Sequence, residues 1–322
     1  MGLGIAHRFL CCLVLWSLAG CAERTAYRHL EAAIEHEQHR EAEAALKAFR
    51  AAVEALPEDP YLRRELGRAY LRRKMYGAGV AELEQVLRVE PSYVDAYRDL
   101  AMAFEAQEMP DAAVGWLERA VEEVPGYLPV FRNLVDLHLS HDRPDEAQRL
   151  LEKTALKRWP EAVWVHYRLG HLYQQLKSYE QAEAAFKKVL EINPRAVRAH
   201  AFLGNVLYEQ ERYDEAIEAY WEAIALDPQD HSSLNNLAWV YAVQGIRLEE
   251  GIRLSRRSIR LAPGPSPEYL DTLAELYFRR GEVARAIEII RHAVSLQPEN
   301  PQLKEHLQNQ LKRFVAAGRG KV

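Results

Sequence analysis

The chain has 322 residues, of which 48% are hydrophobic and 28% charged, and its formal net charge is −5. This composition is too apolar for a disordered chain and too polar for a protein with many membrane spans, and length alone suggests roughly two domains. All three cysteines lie within residues 1–21, so the rest of the chain has no thiol for a disulfide framework or a cysteine zinc site. The mild acidity gives no bulk attraction to nucleic acid.

Residues 1–20 predict a signal peptide. Arg8 precedes twelve uncharged, mostly apolar residues. At a rise of ~1.5 Å per residue, a helix of that length spans ~18 Å, which is too short for a hydrocarbon core of ~30 Å but suits the apolar region of a signal peptide. A buried helix at a true N-terminus is the alternative, and the lack of an amphipathic pattern argues against it.

Leu18-Ala19-Gly20-Cys21 resembles the lipobox of bacterial lipoproteins. The resemblance implies cleavage before Cys21, acylation of its thiol, and a lipid anchor in a bacterial envelope. Ala22 rather than Asp follows Cys21, which in that family implies the periplasmic face of the outer membrane. Stable anchoring takes more than one acyl chain. Residues 21–25 are then the acylated N-terminus and a short tether.

From residue 26 onward, a pattern recurs with a spacing of 34 residues. Leu-Gly-x-x-Tyr lies in one predicted helix (helix A), and a small residue followed four places later by a large one lies in the next (helix B). The clearest copy contains Leu169, Gly170, Tyr173, Ala182, Phe186 and Pro194. Order and period resemble the tetratricopeptide repeat family. The resemblance implies an all-α fold, a right-handed α-solenoid of about eight tandem helix-turn-helix units with a C-terminal capping helix.

The units divide the chain at regular steps. They are 26–59, 60–93, 94–127, 128–162, 163–196, 197–230, 231–266 and 267–300, followed by the capping helix and frayed tail at 301–322. The first is degenerate, because Ala32 and His36 stand where Leu and Tyr are expected. We expect the extra residues of the longer units near 157–160, 246–248 and 263–265, at turns between helices. An insertion inside a helix would rotate its apolar face away from the core. A single stack, which needs no closed core, therefore replaces the two-domain estimate.

Motifs for catalysis and metal binding are weak throughout. The chain has no His-Glu-x-x-His, no Gly-x-Ser-x-Gly and no phosphate loop. His36 with His39 and His138 with His141 are each one helical turn apart, but a zinc site usually needs three or four ligands. We therefore predict no enzyme, no metal and no cofactor.

Candidate binding residues come from the family resemblance, which implies that helix A lines a groove with its second, fifth, ninth and twelfth places. The last unit is acidic there, with Asp271 and Glu275. The early units are basic at these places, with Arg64, Arg68, Arg98 and Arg132. Arg72, one place beyond the twelfth, is added to this group. The middle units are aromatic and polar: Trp164, Tyr167, His171, Asn205, Tyr208, Asn235 and Trp239.

Each group has two interpretations. The arginines could hold an acidic peptide or a terminal carboxylate through bidentate contacts, or form a solvated face balanced by Glu65 and Asp99. The aromatic and amide residues could be partner hot spots that pair with an extended peptide backbone, or Trp164 and Tyr208 could fill gaps between repeats. The Lys/Asn carboxylate clamp of the family's chaperone-binding members is not matched, because arginines occupy its first two places.

The leading hypothesis is a membrane-anchored adaptor that binds a protein or extended peptide in its groove and no nucleic acid. By resemblance it would support a bacterial envelope complex: pilus or secretin assembly, outer-membrane biogenesis, peptidoglycan remodelling or polysaccharide export. The alternative is a carbohydrate-binding accessory module of an envelope polysaccharide system, because aromatic rings also stack on sugars. The partner's identity and the oligomeric state stay open.

Overall fold

The computed structural model describes residues 20–319, and of Cys21 only the backbone. The predicted signal-peptide segment 1–19, the acylated thiol and residues 320–322 lie outside the described residues. Regular structure within 20–319 is helical, without a strand. No helix in that range combines the length and apolar character that a membrane crossing requires.

The chain divides into two compact units, one that ends at Leu150 and one that begins at Leu151. The single stack predicted over 26–300 is thus divided within helix B of the fourth repeat. The helices of the first unit are α1 Cys21–Gln38, α2 Ala42–Ala55, α3 Pro60–Arg72, α4 Tyr76–Val89, α5 Val94–Glu105, α6 Pro110–Glu123, α7 Leu128–Ser140 and α8 Pro144–Leu150.

The second unit opens with the π-helical turn Leu151–Ala155. Its α-helices are α9 Leu156–Arg158, α10 Val163–Gln175, α11 Tyr179–Ile192, α12 Val197–Glu209, α13 Tyr213–Leu226, α14 His231–Gln244, α15 Leu248–Leu261, α16 Pro267–Arg279, α17 Val283–Ser295 and α18 Pro301–Arg319. In both units consecutive helices pack in pairs, and each pair packs on the next pair of the same unit. Each unit is therefore a stack of helix A–helix B repeats, the architecture of an α-solenoid.

The turn between helices A and B is built in the same way in every repeat. The N–H that follows the turn residue donates to the carbonyl five residues earlier, as from Met75 to Tyr70 (3.0 Å) and from Ser178 to Tyr173 (2.8 Å). This bond is the mark of a Schellman motif, whose turn residue is left-handed. Those residues are Arg40, Lys74, Glu108, Asp142, Lys177, Glu211, Gly245 and Gly281.

The degenerate first unit shares this turn. The N–H of Glu41 donates to the carbonyl of His36 (2.8 Å), and Arg40 is left-handed. Ala33 and Phe49 are buried at their expected small and large places. Residues 26–59 therefore form a complete helix pair although Leu and Tyr are missing from helix A.

Close packing of a repeat depends on a glycine in helix A. A Cβ atom built on Gly170 would lie 2.7 Å from two ring atoms of Phe186, and one on Gly204 would lie 2.7 Å from the Tyr220 ring. Both rings are buried and stand at the large place of helix B. The missing side chain lets the aromatic ring lie against the backbone of helix A.

Residues 21–25, predicted to form a tether, are helical in the uncleaved chain. The helix α1 begins at Cys21, and the N–H of Gly20 donates to the Glu23 carboxylate (3.0 Å) at its first turn. Ala26 and Leu30 are buried on the next helix, which holds this end of α1 in the core.

The extra residue of the 128–162 unit is not near 157–160. The N–H of Trp159 donates to the carbonyl of Ala155 as that of Asn193 donates to Val189 one repeat later, so the repeat register is already restored at Ala155. The π turn Leu151–Ala155 absorbs the extra residue inside helix B, because its wider ring takes one more residue than an α turn. Leu151 and Ala155 stay buried.

Candidate functional site

Four of the predicted arginines come together in one pocket of the first unit. This arginine pocket has a volume of about 400 Å³ and lies between α3 and α5. Its lining consists of Arg64, Arg68, Leu71, Arg72, Tyr76, Arg98, Asp99, Met102, Ala103 and Ala106. Arg132 is exposed on the following helix A and does not line it.

Arg64 is a buried structural residue. It is only 8% exposed, its Nε donates to Asp99 Oδ2 at 2.6 Å, and a terminal nitrogen lies 3.0 Å from Asp95. Burial alone would lower the pKa of Arg64, but the hydrogen bond and charge of Asp99, together with the charge of Asp95, outweigh burial and raise it. Neither sequence interpretation fits this residue, since it is neither solvated nor available, and it joins α3 to α5.

The other three pocket arginines are partly exposed, and each has a carboxylate partner. Arg68 lies 3.0 Å from Glu65, Arg72 lies 2.6 Å from Glu37, and Arg98 lies 2.7 Å from Asp95. Of these partners, the solvated-face interpretation named Glu65 but neither Glu37 nor Asp95. The carboxylates of Glu65 and Asp99 are buried, whereas those of Glu37 and Asp95 are partly exposed beside Arg72 and Arg98.

The apolar part of this pocket was missed from the sequence. Met102 is 59% exposed and lines the pocket beside Leu71. It occupies the ninth place of its repeat, so the same count that selected Arg68 could have selected it.

In the second unit, Tyr167 and His171 belong to an aromatic cluster with Phe186 and Phe202. The His171 and Phe202 rings are 4.2 Å apart, and Tyr167 meets Phe186 edge-on at 6.2 Å. Burial, with the charges of Arg168 and Arg198, lowers the pKa of His171. These two predicted groove residues are half-buried and pack against Phe186 of their own repeat and Phe202 of the next. Trp164 is half-buried.

Polar side chains link helix A of one repeat to helix A of the next. Trp239 Nε1 donates to the Tyr208 hydroxyl at 2.8 Å. Asn205 Oδ1 accepts from Asn236 Nδ2 at 2.9 Å and from the Tyr220 hydroxyl at 2.8 Å. Asn205, Tyr208 and Trp239 therefore form a ladder across α12 and α14, which fixes the register between the two repeats.

Asn235 stands apart from this ladder. Its side chain is 7% exposed, and its Oδ1 has no hydrogen-bond partner among the described residues. Asp271, at the same place in the next repeat, likewise has one oxygen without a partner, while the other lies 2.9 Å from His306 Nε2. Burial raises the pKa of Asp271 against the effect of His306. Buried acceptors without donors are rare in folded proteins.

The acidic residues of the last repeat anchor the capping helix. Asp271 pairs with His306, and Glu275 pairs with Arg313 of α18 as well as with Arg279. Sequence reasoning placed both acids in the groove and missed their basic partners 35 and 38 residues later.

Within residues 20–319, no group of three or more His, Cys, Asp or Glu is placed to hold a metal. His36 Nδ1 lies 2.6 Å from Glu41 Oε2, and His138 is buried. Burial lowers the pKa of His138.

Stacked helix pairs with glycine-dependent packing and polar helix-A faces define a helical-repeat protein. Family models described as tetratricopeptide repeat match residues 30–80, 76–127, 132–197, 167–231, 203–264 and 267–300. The chain belongs to the tetratricopeptide repeat family, whose members are generally scaffolds for protein interaction and typically not enzymes. No curated protein matches the chain.

Two solved structures, PilF and Tom70, agree with this fold, and YrrB is a further match with a lower TM-score. PilF of Pseudomonas aeruginosa is 25% identical, with a TM-score of 0.50 over 67% of this chain and 97% of that one. Yeast Tom70 is 15% identical, with a TM-score of 0.52 over 91% of this chain and 65% of that one. YrrB, described as a TPR protein with an unusual peptide-binding site, is 20% identical, with a TM-score of 0.44 over 59% of this chain and 97% of that one.

Proposed function

We propose that this chain is a non-enzymatic scaffold that binds a protein partner as an extended peptide along helices α12, α14 and α16 of its second unit. Lipid on Cys21 would hold it at the periplasmic face of a bacterial outer membrane, where it would support assembly of an envelope complex. Pilus or secretin assembly, outer-membrane biogenesis, peptidoglycan remodelling and polysaccharide export are the candidate complexes.

The observation that carries the proposal is the unpaired Oδ1 of Asn235. A buried amide oxygen without a partner costs roughly 1–3 kcal/mol. An extended peptide presents backbone N–H groups, one of which would satisfy this oxygen on binding. The neighbouring Trp239–Tyr208 pair holds a large indole beside the same helix face, and indole rings are frequent hot spots in interfaces.

The membrane part of the proposal rests on the lipobox resemblance at residues 18–21 and on the position of α1. Ala26, five residues after Cys21, is already buried in the first repeat. An acyl group on Cys21 would therefore hold the first unit close to the bilayer rather than on a long tether.

The aromatic packing favours a peptide over a sugar as ligand. Sugar recognition needs open ring faces, whereas Tyr167 and His171 lie against Phe186 and Phe202. Fewer rings are left as platforms than the sequence suggested.

The test separates binding from stability. Asn235→Ala removes an unsatisfied acceptor, so we expect the melting temperature to stay constant or rise, while capture of the partner from envelope extracts falls at least tenfold. Asn205→Ala is the matched control: it removes an amide that accepts two hydrogen bonds, so its melting temperature should fall. Unchanged capture by Asn235→Ala would contradict the proposal.

A further inference from the structure

We infer that the second unit docks on an anionic phospholipid bilayer through a groove between α17 and α18 and an arginine stripe on α15. The arginine stripe consists of Arg253, Arg256 and Arg260, and the C-terminal groove has a volume of about 650 Å³. Both are formed by helices B and the capping helix, whereas the proposed peptide face lies on helices A. The inference therefore goes beyond the proposed function.

The sign of the charge reverses between consecutive helices B. Helix α13 contains four acidic residues and no Lys or Arg, whereas α15 contains four arginines and two glutamates. Residues 247–319 as a whole contain 13 Lys and Arg against 9 Asp and Glu, although the full chain is acidic. Basic side chains are thus concentrated in the last two repeats and the capping helix.

The arginine stripe is exposed and free of ion pairs. Arg253, Arg256 and Arg260 are three and four residues apart, so they follow one face of α15. None of the three has an ion pair or a hydrogen bond with a described residue. Arg256 lies over the buried Tyr277 ring at 5.8 Å, and Arg285 of α17 lies over the same ring at 4.5 Å. This shared ring brings the arginine stripe next to the C-terminal groove.

The C-terminal groove combines exposed cations with half-buried aliphatic side chains. Its lining includes three arginines and three aliphatic residues: Arg285, Arg291, Arg319, Val283, Ile287 and Val315. Gly318 leaves the aliphatic floor open, since a Cβ atom there would lie 3.5 Å from Val283. An anionic amphiphile suits this lining, with its phosphate on the guanidinium groups and an apolar chain on the floor.

Three carboxylates share this surface, those of Glu249, Glu282 and Glu288. Glu282 lines the groove, where it pairs with Arg280 and lies 3.6 Å from Arg285. Arg291 and Arg319, in contrast, have no ion pair among the described residues. The groove therefore keeps two unpaired guanidinium groups beside one carboxylate that is already paired.

A bilayer fits this surface better than a peptide or a nucleic acid. None of the buried side-chain atoms that lack a partner in residues 20–319 lines the groove, so it has no acceptor like Asn235 Oδ1 for a peptide N–H. Its described lining also has no aromatic ring on which a base could stack. A bilayer presents many phosphates in one plane, and arginines on three helices can contact several of them at once.

The experiment measures the fluorescence of the full chain mixed with lipid vesicles. An environment-sensitive fluorescent amino acid replaces Ala284, an exposed residue of the groove. The vesicles contain phosphatidylglycerol with phosphatidylcholine, or phosphatidylcholine alone. We expect a blue shift with the first that shrinks as salt rises, and none with the second. The same amino acid at Ala225, an exposed alanine on the acidic α13, should show no shift with either.

Variants then locate the site. Arg291→Gln with Arg319→Gln removes the unpaired cations of the groove, and Arg256→Gln with Arg260→Gln removes two cations of the stripe. Each pair of substitutions should reduce the shift at Ala284 at least threefold. All four arginines are exposed, so melting temperatures should stay close to that of the wild type.

The matched control is Arg88→Gln with Arg119→Gln. Both arginines are exposed on helices B of the first unit, and Arg119 lies over the Trp116 ring as Arg256 lies over Tyr277. The control removes the same charge from the chain. It should leave the shift at Ala284 unchanged.

Three results would overturn the inference. They are an equal shift with phosphatidylcholine alone, an equal loss in the Arg88→Gln and Arg119→Gln control, and a shift caused by a DNA duplex or polyglutamate but not by phosphatidylglycerol. High salt screens this contact, so fractionation of Cys21→Ala in high salt reports on the acyl anchor alone. Partner capture through Asn235 is also a separate measurement, so failure here and failure of the proposed function are distinguishable.

Discussion

Gly170 is the residue on which the packing of one helix pair depends. Gly170→Ala would place a methyl group 2.7 Å from the Phe186 ring, and Phe202 and His171 pack against that ring. We expect a loss of roughly 1–3 kcal/mol in the free energy of unfolding from overpacking, measured by urea denaturation.

Gly115 supplies the control, because it is exposed within α6 and a Cβ there meets nothing within 4 Å. Gly115→Ala should stabilise the protein by about 0.5–1 kcal/mol through helix propensity. A Gly170→Ala variant as stable as Gly115→Ala would show that the repeat register is wrong.

The residue scale is also where sequence reasoning was least complete. Counting places along helix A selected Arg68, Arg98 and Trp239, all of which are partly exposed, because the repeat fixes which face a residue occupies. The count of places could not show how deeply each side chain is buried. Arg64 is buried because Asp99, 35 residues later, neutralises its charge. Such partners belong to the next repeat and have no fixed pattern, so an exposed arginine and a buried one have the same spacing.

At the scale of the element, the turn between helices A and B makes a prediction. Glu211 is left-handed with φ 59°, a conformation that costs a residue with a Cβ roughly 1–2 kcal/mol. Glu211→Gly relieves this cost. It also raises the conformational entropy of the unfolded chain, which lowers the free energy of unfolding by about 0.4–1 kcal/mol. We expect a net rise in the free energy of unfolding of roughly 0.5–1 kcal/mol.

Gly281 stands at the equivalent place of another turn in the same unit, with φ 87°. Gly281→Ala should shift stability in the opposite direction. If Glu211→Gly and Gly281→Ala both raised or both lowered the free energy of unfolding, the left-handed conformation of the turn would not determine their effects.

Helix starts and the main helix-pair pattern were predictable, since Pro60, Val94, Val163 and Pro267 follow directly from the period and do begin helices. The π turn at Leu151–Ala155 was not. A sequence shows that a repeat is one residue longer, but a turn between helices and a widened turn within one can both absorb that residue, and their energies depend on packing.

At the scale of the whole molecule, the lipid anchor is the part of the proposal that rests on sequence alone. Cys21→Ala should move the protein from the membrane fraction to the soluble fraction of the envelope, because the acyl chains supply the membrane affinity. Fractionation with immunoblotting measures this, and Gly115→Ala, far from the lipobox, should stay with the membrane. Retention of Cys21→Ala in the membrane would remove the lipoprotein proposal.

The central claim is that helix A of the second unit presents the face that a protein partner occupies. Photo-crosslinking in intact cells tests it most directly, with the crosslinking residue at Ser232 on helix A or at Glu222 on helix B, both exposed. We predict that one partner crosslinks at Ser232, is absent at Glu222, and is lost when Asn235→Ala is added. The same partner crosslinked equally from Glu222, or retained after Asn235→Ala, would contradict this account.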